Sequence, residues 1–335
     1  MHAVLIRVMA LAAVVTAHGV ALAQGETALQ QRAVATFGKL PAVAESTDNP
    51  VTEDKVRLGR MLYYDPRLSA SDKLSCNSCH LLDKYGVDNE PTSPGHKGER
   101  GDRNSPTVYN AAFHFVQFWD GRAPTVEEQA KGPILNPVEM GMSADVDVIK
   151  KLQAIPGYAP LFKAAFPGAD QPITYDSVAR AIGAFERRLV TPSPFDEYLA
   201  GNANALTTQQ KEGLAKFMDS GCIICHAGPL LGGSMYQKLG LVKPYPTKDP
   251  GRAKATGNAA DTGFFKVPSL RNVAETHPYL HDGSKATLPE VVRLMAEYQL
   301  GRTLSDQDVD LIVAFLGSLT GKIDLAYIKK PELPR

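Results

Sequence analysis

The chain has 335 residues, 36 basic against 36 acidic, and 44% of its side chains are hydrophobic. Zero formal net charge gives no argument for a nucleic-acid partner or a polybasic membrane anchor. The length gives room for about two domains, each with its own core.

Residues 1–23 read as a signal peptide. Arg7 gives a weak positive start, Val8 to Val15 is apolar throughout, and Ala21-Leu22-Ala23 forms a small-x-small cleavage site before Gln24. The alternative, an uncleaved anchor, is disfavoured because the apolar run is short and broken by His18-Gly19. No later segment is long and apolar enough to span a bilayer, so the expected product is a soluble periplasmic protein. A helix is expected from Lys55 to Tyr64, closing on an apolar patch just before Cys76-Asn77-Ser78-Cys79-His80. The same arrangement returns later: a helix from Gln209 to Met218 precedes Cys222-Ile223-Ile224-Cys225-His226. These two motifs use all four cysteines of the chain.

Cys-x-x-Cys-His is the attachment pattern of c-type haem, in which two thiols form thioethers and the adjacent His ligates iron. Competing readings are weaker. Zinc needs convergent Cys pairs, and these lie 146 residues apart, each with its own His. A redox dithiol needs no His after it. Disulfides between the motifs are possible in an oxidising compartment.

The long stretches Gly86–Ser105 and Gly228–Gly263 read as loops that wrap a cofactor. Thr174 to Leu189 is an amphipathic run, and Pro192-Ser193-Pro194 breaks it at a natural domain junction. Thr207-x-x-Gln210 and Ser305-x-x-Asp308 mark helix starts. Leu311, Ile312, Phe315, Leu316 and Leu319 then form an apolar stripe that Gly321 ends. An internal repeat organises these elements. Pro106-Thr107-Val108-Tyr109-Asn110 is echoed by Pro268-Ser269-Leu270-Arg271-Asn272, Asp120-Gly121 by Asp282-Gly283, and Thr125-x-x-Glu128 by Thr287-x-x-Glu290, all shifted by 162 residues. The expected fold is mainly α, with two cytochrome c-like helical domains that each carry one covalently bound c-type haem. Their spans are 24–195 and 196–321, and a tail covers 322–335.

What fills the sixth position of each iron decides between electron transfer and chemistry. For the second haem the candidates are Met218, Met235, Met295 and Tyr298. Met295 falls on one helix face with Leu288, Val291 and Val292, so it is either core or ligand. For the first, they are Met140, Met142, His96 and His114. His96 lies in a Gly-rich loop, and His114 reads more readily as a packed core histidine. Phe115, Phe118 and Trp119, the sole tryptophan, form either ordinary aromatic core or a π-system between two haems. Glu139 is either a surface acid or a carboxylate near an open iron, placed to shuttle a peroxide proton.

Four segments carry a family resemblance: "YYDPRLSASDKLSCNSCH", "RNSPTVYNAAFHFVQFWDGRAPTVEEQAKGP", "VPSLRNVAETHPYLHDG" and "LMAEYQLG". Through them the chain resembles the bacterial dihaem cytochrome c peroxidases, a family that includes the maturation enzyme MauG, from about Asp54 to Gly321. The resemblance implies that His80 is the proximal ligand of a low-potential peroxidatic haem and that His96 is its displaceable distal ligand. It places Trp119 between the haems and puts Gln129 and Glu139 in the peroxide pocket. His226 and Met295 become the ligands of a high-potential haem. Asn104, Thr276 and Pro278 become a calcium site between the domains, a hard-oxygen set suited to that ion. It further implies a tail packed back on the N-terminal domain, a homodimer, and a small cytochrome c or cupredoxin as electron donor for reducing hydrogen peroxide to water. A Tyr replaces the axial Met in MauG; Met295 is present here, and Tyr298 lies off the matching position. Two other classes stay open: a dihaem electron carrier without peroxidase activity, and a MauG-like oxidase acting on a protein residue.

Overall fold

A computed structural model describes residues 27–335; the signal-peptide reading of 1–23 lies outside the described residues. The architecture is mainly helical. The described residues contain one small sheet, in which Tyr236–Lys238 and Phe264–Lys266 pair antiparallel.

Local sequence sets the helix starts as expected. Thr52 caps Glu53–Tyr64 by accepting from the Lys55 N–H, and Thr174 caps Tyr175–Glu186 from Ser177. Reciprocal capping boxes open Thr208–Asp219 (Thr207 with Gln210) and Leu288–Leu300 (Thr287 with Glu290). The Ser305 hydroxyl caps Asp306–Gly317. Ser193, between the two prolines, caps the short Pro194–Leu199 helix.

Two hydrophobic clusters form. The first gathers Leu58, Leu62, Tyr63, Ile182 and Phe185, and the second Leu214, Phe217, Ile312, Phe315 and Leu316. Each fully buried Leu or Phe contributes about 1.5–3 kcal/mol. Both clusters are built by crossing two helices at a glycine. A Cβ on Gly59 would lie 1.8 Å from the Ala181 carbonyl oxygen, and a Cβ on Gly213 would lie 1.9 Å from that of Leu311. Only glycine permits helix backbones to approach this closely. The residue four further along the partner helix, Phe185 or Phe315, then closes over the crossing at 3.0 Å in both cases.

The 162-residue repeat is a backbone repeat. Asn110 and Asn272 share φ 60°, Phe118 and Leu280 have φ 66° and 70°, and Gly121 and Gly283 have φ 69° and 64°. The bridge Gln117–Ala123 recurs as Tyr279–Lys285. The two copies meet at Thr191, which is fully buried. Its Oγ1 accepts from the Nδ2 of both Asn110 and Asn272, each at 2.9 Å. Each Asn Oδ1 in turn receives a backbone N–H where its own half ends, Thr191 at 3.1 Å and Gly321 at 2.9 Å.

The terminal segments are exchanged. The helix over 27–37 sets Ala33 and Phe37 into the second cluster, with the Phe37 ring 5.3 Å from Phe195. Residues at the C-terminal end lie against the first cluster. Tyr327 stacks on Phe185 at 5.2 Å, Ile328 O accepts from Tyr64 Oη, and Arg335 O accepts from the Gly157 N–H.

Within the first half, Glu127 and Arg187 form a buried ion pair at 2.8 Å. Glu186 beside them is buried too. Burial pushes its carboxyl up to about 8; the Glu127 charge adds to this and Arg187 opposes it. A raised folded-state value means the protonated form is the one the fold favours. That contribution is full below the ordinary carboxylate value near 4.5 and is lost as pH rises through about 8. Glu186→Gln should therefore flatten the pH dependence of thermal unfolding. Its advantage over the parent should grow to the order of a few kcal/mol between pH 5 and 8.5; parallel unfolding profiles would contradict this.

Candidate active site

Both Cys-x-x-Cys-His segments fold as a single helical turn. Cys76–Cys79 is α-helical, opened by a Ser75–Ser78 capping box, and Cys222–Ile224 is a 3-10 turn. In each, the His backbone N–H returns to the first cysteine's carbonyl at 3.0 Å. Each imidazole then turns its Nδ1 to a backbone carbonyl, His80 to Gly86 at 3.3 Å and His226 to Leu231 at 2.8 Å. A carbonyl only accepts, so Nδ1 carries the proton and Nε2 keeps the lone pair that a metal needs. Burial holds both imidazoles below the ordinary histidine range, which keeps them neutral.

All four cysteines are unpaired. Burial pushes Cys79 and Cys222 up to about 11 and raises Cys76 and Cys225 as well. Thiol-exchange dithiols need the opposite shift. Reduced, protonated thiol pairs, each with a tautomer-fixed His, fit the donor chemistry of covalent haem c.

The second motif opens into a cavity of about 250 Å³, mostly apolar, that Cys222, Cys225, His226 and Met295 line. Of the four sixth-ligand candidates on this side, Met295 alone lines it. Met218 is core, and Tyr298 packs edge-on to Tyr245 at 5.3 Å beneath the Lys243 ammonium. Asn104, Thr276 and Pro278 also meet at this cavity. Asn104 Nδ2 donates to the carbonyls of Glu90 at 2.9 Å and Pro91 at 3.3 Å, which fixes the amide and leaves Oδ1 as its free acceptor, the hard oxygen a calcium ion takes. Trp119 lines the same space; its Nε1 donates to Asn104 O at 2.9 Å, and its ring meets its repeat partner His281 edge-on at 6.4 Å.

Near the first motif, Met140 and Met142 are core. His96 and Glu139 come together. The His96 N–H donates to Glu139 O at 2.8 Å, His96 Nε2 faces Pro137 O at 3.2 Å, and the ring fills the space beside Gly141. The Glu139 carboxyl accepts from Asn136 Nδ2 at 2.9 Å, and its charge bears on the Cys79 thiol. Burial raises Glu139 above the ordinary glutamate range, with the Arg122 charge and the Asn136 hydrogen bond opposing. Gln129 is half-buried on the Val126–Leu135 helix.

Sequence reading missed two groups, Arg122 and Arg103, and placed a third, His114, on the first haem's side or in the core. Arg122 stacks on Phe118 at 3.4 Å and binds Asp120. Arg103 joins the two halves by pairing with Asp120 and Asp249, both at 2.7 Å. His114 lies on the cavity of the second motif, against Gly233 and Lys266. Arg122 directly follows the repeated Asp-Gly, and only that adjacency hinted at it.

Two such motif turns on one helical scaffold define a redox protein of the c-type haem class. Residues 53–204 match the family described as di-haem cytochrome c peroxidase. The chain is 49% identical over 308 residues to cytochrome c551 peroxidase of Pseudomonas aeruginosa, covering 90% of this chain and 88% of that protein. It is 35% identical over 338 residues to methylamine utilization protein MauG of Methylorubrum extorquens, covering 96% and 94%. A solved MauG-like protein associated with microbial copper homeostasis shares the fold at TM-score 0.76 and 30% identity, over 87% of this chain and 95% of that one. The chain belongs to the di-haem cytochrome c peroxidase family, and its members are oxidoreductases.

Proposed function

We propose that this chain is a periplasmic dihaem peroxidase that reduces hydrogen peroxide to water with electrons from a small reduced cytochrome c or cupredoxin. The observation that carries the reading is Glu139, a half-buried carboxyl with a raised proton affinity, whose charge bears on Cys79 of the first motif and whose backbone carbonyl holds the His96 N–H.

Cys76, Cys79 and His80 would hold one haem; Cys222, Cys225, His226 and Met295 would hold the other. When bound, the two haems would supply one-electron storage and iron redox chemistry. Glu139 takes the proton from the near peroxide oxygen and returns it to the far one, so that water leaves. Asn136 orients that carboxyl, and Gln129 contributes a second polar group. One peroxide, two protons and two electrons give two water molecules. His96 would serve as a removable ligand of the first haem. Trp119 lies on the electron route, and Asn104, Thr276 and Pro278 would hold a calcium ion between the domains. The domains are 24–195 and 196–321, joined at Pro192–Pro194, with the 27–37 helix of the first packed on the second, and the working form is a homodimer.

Met295 lines the cavity and Tyr298 turns away from it, which favours the peroxidase over a MauG-like oxidase. A pyridine haemochrome count should give two haems per chain, and a steady-state assay should consume two reduced cytochromes per peroxide. Running it before and after partial reduction, and with a calcium chelator, tests His96 and the ion separately. A spectrum indifferent to peroxide would leave an electron carrier. A persistent peroxide-induced spectrum with slow cytochrome oxidation would indicate the protein-modifying oxidase.

A further inference from the structure

Lys266 ends the Phe264–Lys266 strand and is 5% exposed. Its backbone N–H donates to Trp119 O at 2.8 Å, which fixes it in the wall of the second-motif cavity. Its Nζ stands 2.9 Å from His114 Nδ1, and among the described residues no carboxylate pairs with it. An ammonium cannot accept a hydrogen bond. The ammonium therefore donates to Nδ1, and the His114 proton sits on Nε2. That Nε2 is buried and has no partner. Gly233 makes room for the ring, since a Cβ there would lie 2.6 Å from His114 Cδ2. Burial lowers Lys266 to about 8, and burial plus the Lys266 charge keep His114 neutral.

A buried cation and an orphaned N–H donor in one cavity wall form a strongly unfavourable arrangement unless an anion completes it. The rest of the lining is mainly apolar, so the anion must arrive with whatever fills the cavity. We propose that Lys266 and His114 form a carboxylate seat, and that a propionate of the haem attached at Cys222 and Cys225 occupies it. The inference rests on the haem reading above. Its consequence is electrostatic. The propionate charge is neutralised beside the iron, so the reduced state of that haem is not penalised by an unpaired negative charge.

The test is spectroelectrochemistry of the haem-loaded protein, with haems counted in every sample. Lys266→Met should lower the midpoint potential of the Met-ligated haem by the equivalent of at least a tenfold change in the one-electron equilibrium, about 59 mV. Lys266→Arg, which keeps the charge, should stay near the parent. His114→Phe should move the potential in the same direction by a smaller step, and it carries the test alone if Lys266→Met does not accumulate. Parent potentials in both Lys266→Met and His114→Phe would overturn the seat. So would a parent potential that shifts with added acetate at fixed ionic strength, because the occupant would then be a free anion. Fewer than two haems in the parent would overturn the haem reading and this inference with it.

Discussion

Glu139→Gln should slow peroxide turnover by ~10²-fold or more while both haem spectra and the haem count match the parent. Gln has the same shape and can still meet the Asn136 amide that now binds the carboxylate at 2.9 Å. The contact with His96 runs through the Glu139 carbonyl and survives the change. What disappears is the ability to take and return a proton. Burial raises the Glu139 proton affinity, so the acid limb of the parent's kcat/KM profile should lie above the ordinary glutamate range. The variant should lack that limb. Unchanged turnover in Glu139→Gln would remove this residue from the proton path and leave peroxide cleavage to another group.

Met295→His should lower the second haem's potential by on the order of 0.1 V or more, because a thioether ligand raises potential relative to a second imidazole. The geometry makes the prediction specific. Met295 shares the cavity with His226, whereas Met218 is committed to the core and Tyr298 is held between Tyr245 and Lys243. Electron entry from a high-potential donor should slow accordingly, measured as cytochrome oxidation at saturating peroxide. An unaltered potential would point to Met235, the remaining candidate on the Gly-rich loop.

Features written over a few residues were legible in the sequence. The two haem motifs, the capping boxes at Thr207 and Thr287, and the Pro-flanked break at Ser193 all depend on local chemistry. The repeat at 162 residues was legible because backbone turns at Asn110, Phe118 and Gly121 demand similar residues in both copies. The paired helix crossings were not. Gly59 meets Ala181 while Gly213 meets Leu311, so the two copies differ in spacing, and a helical glycine by itself looks like a weak helix former. His114 read as a core histidine because Lys266, the residue that gives it a role, is 152 positions away. Glu139 was identified by motif, but its raised proton affinity comes from burial that only the assembled fold creates.

The exchange of terminal segments sets an order of assembly during synthesis. Tyr64 finds its partner carbonyl at Ile328, 264 positions later, and Arg67 finds its own at Pro334. The half translated first therefore leaves the ribosome with a seam that only residues made 264 or more positions later can close. A nascent chain halted after the first motif would expose that seam. Cutting the gene at Pro192 would give two fragments, each lacking a piece encoded in the other.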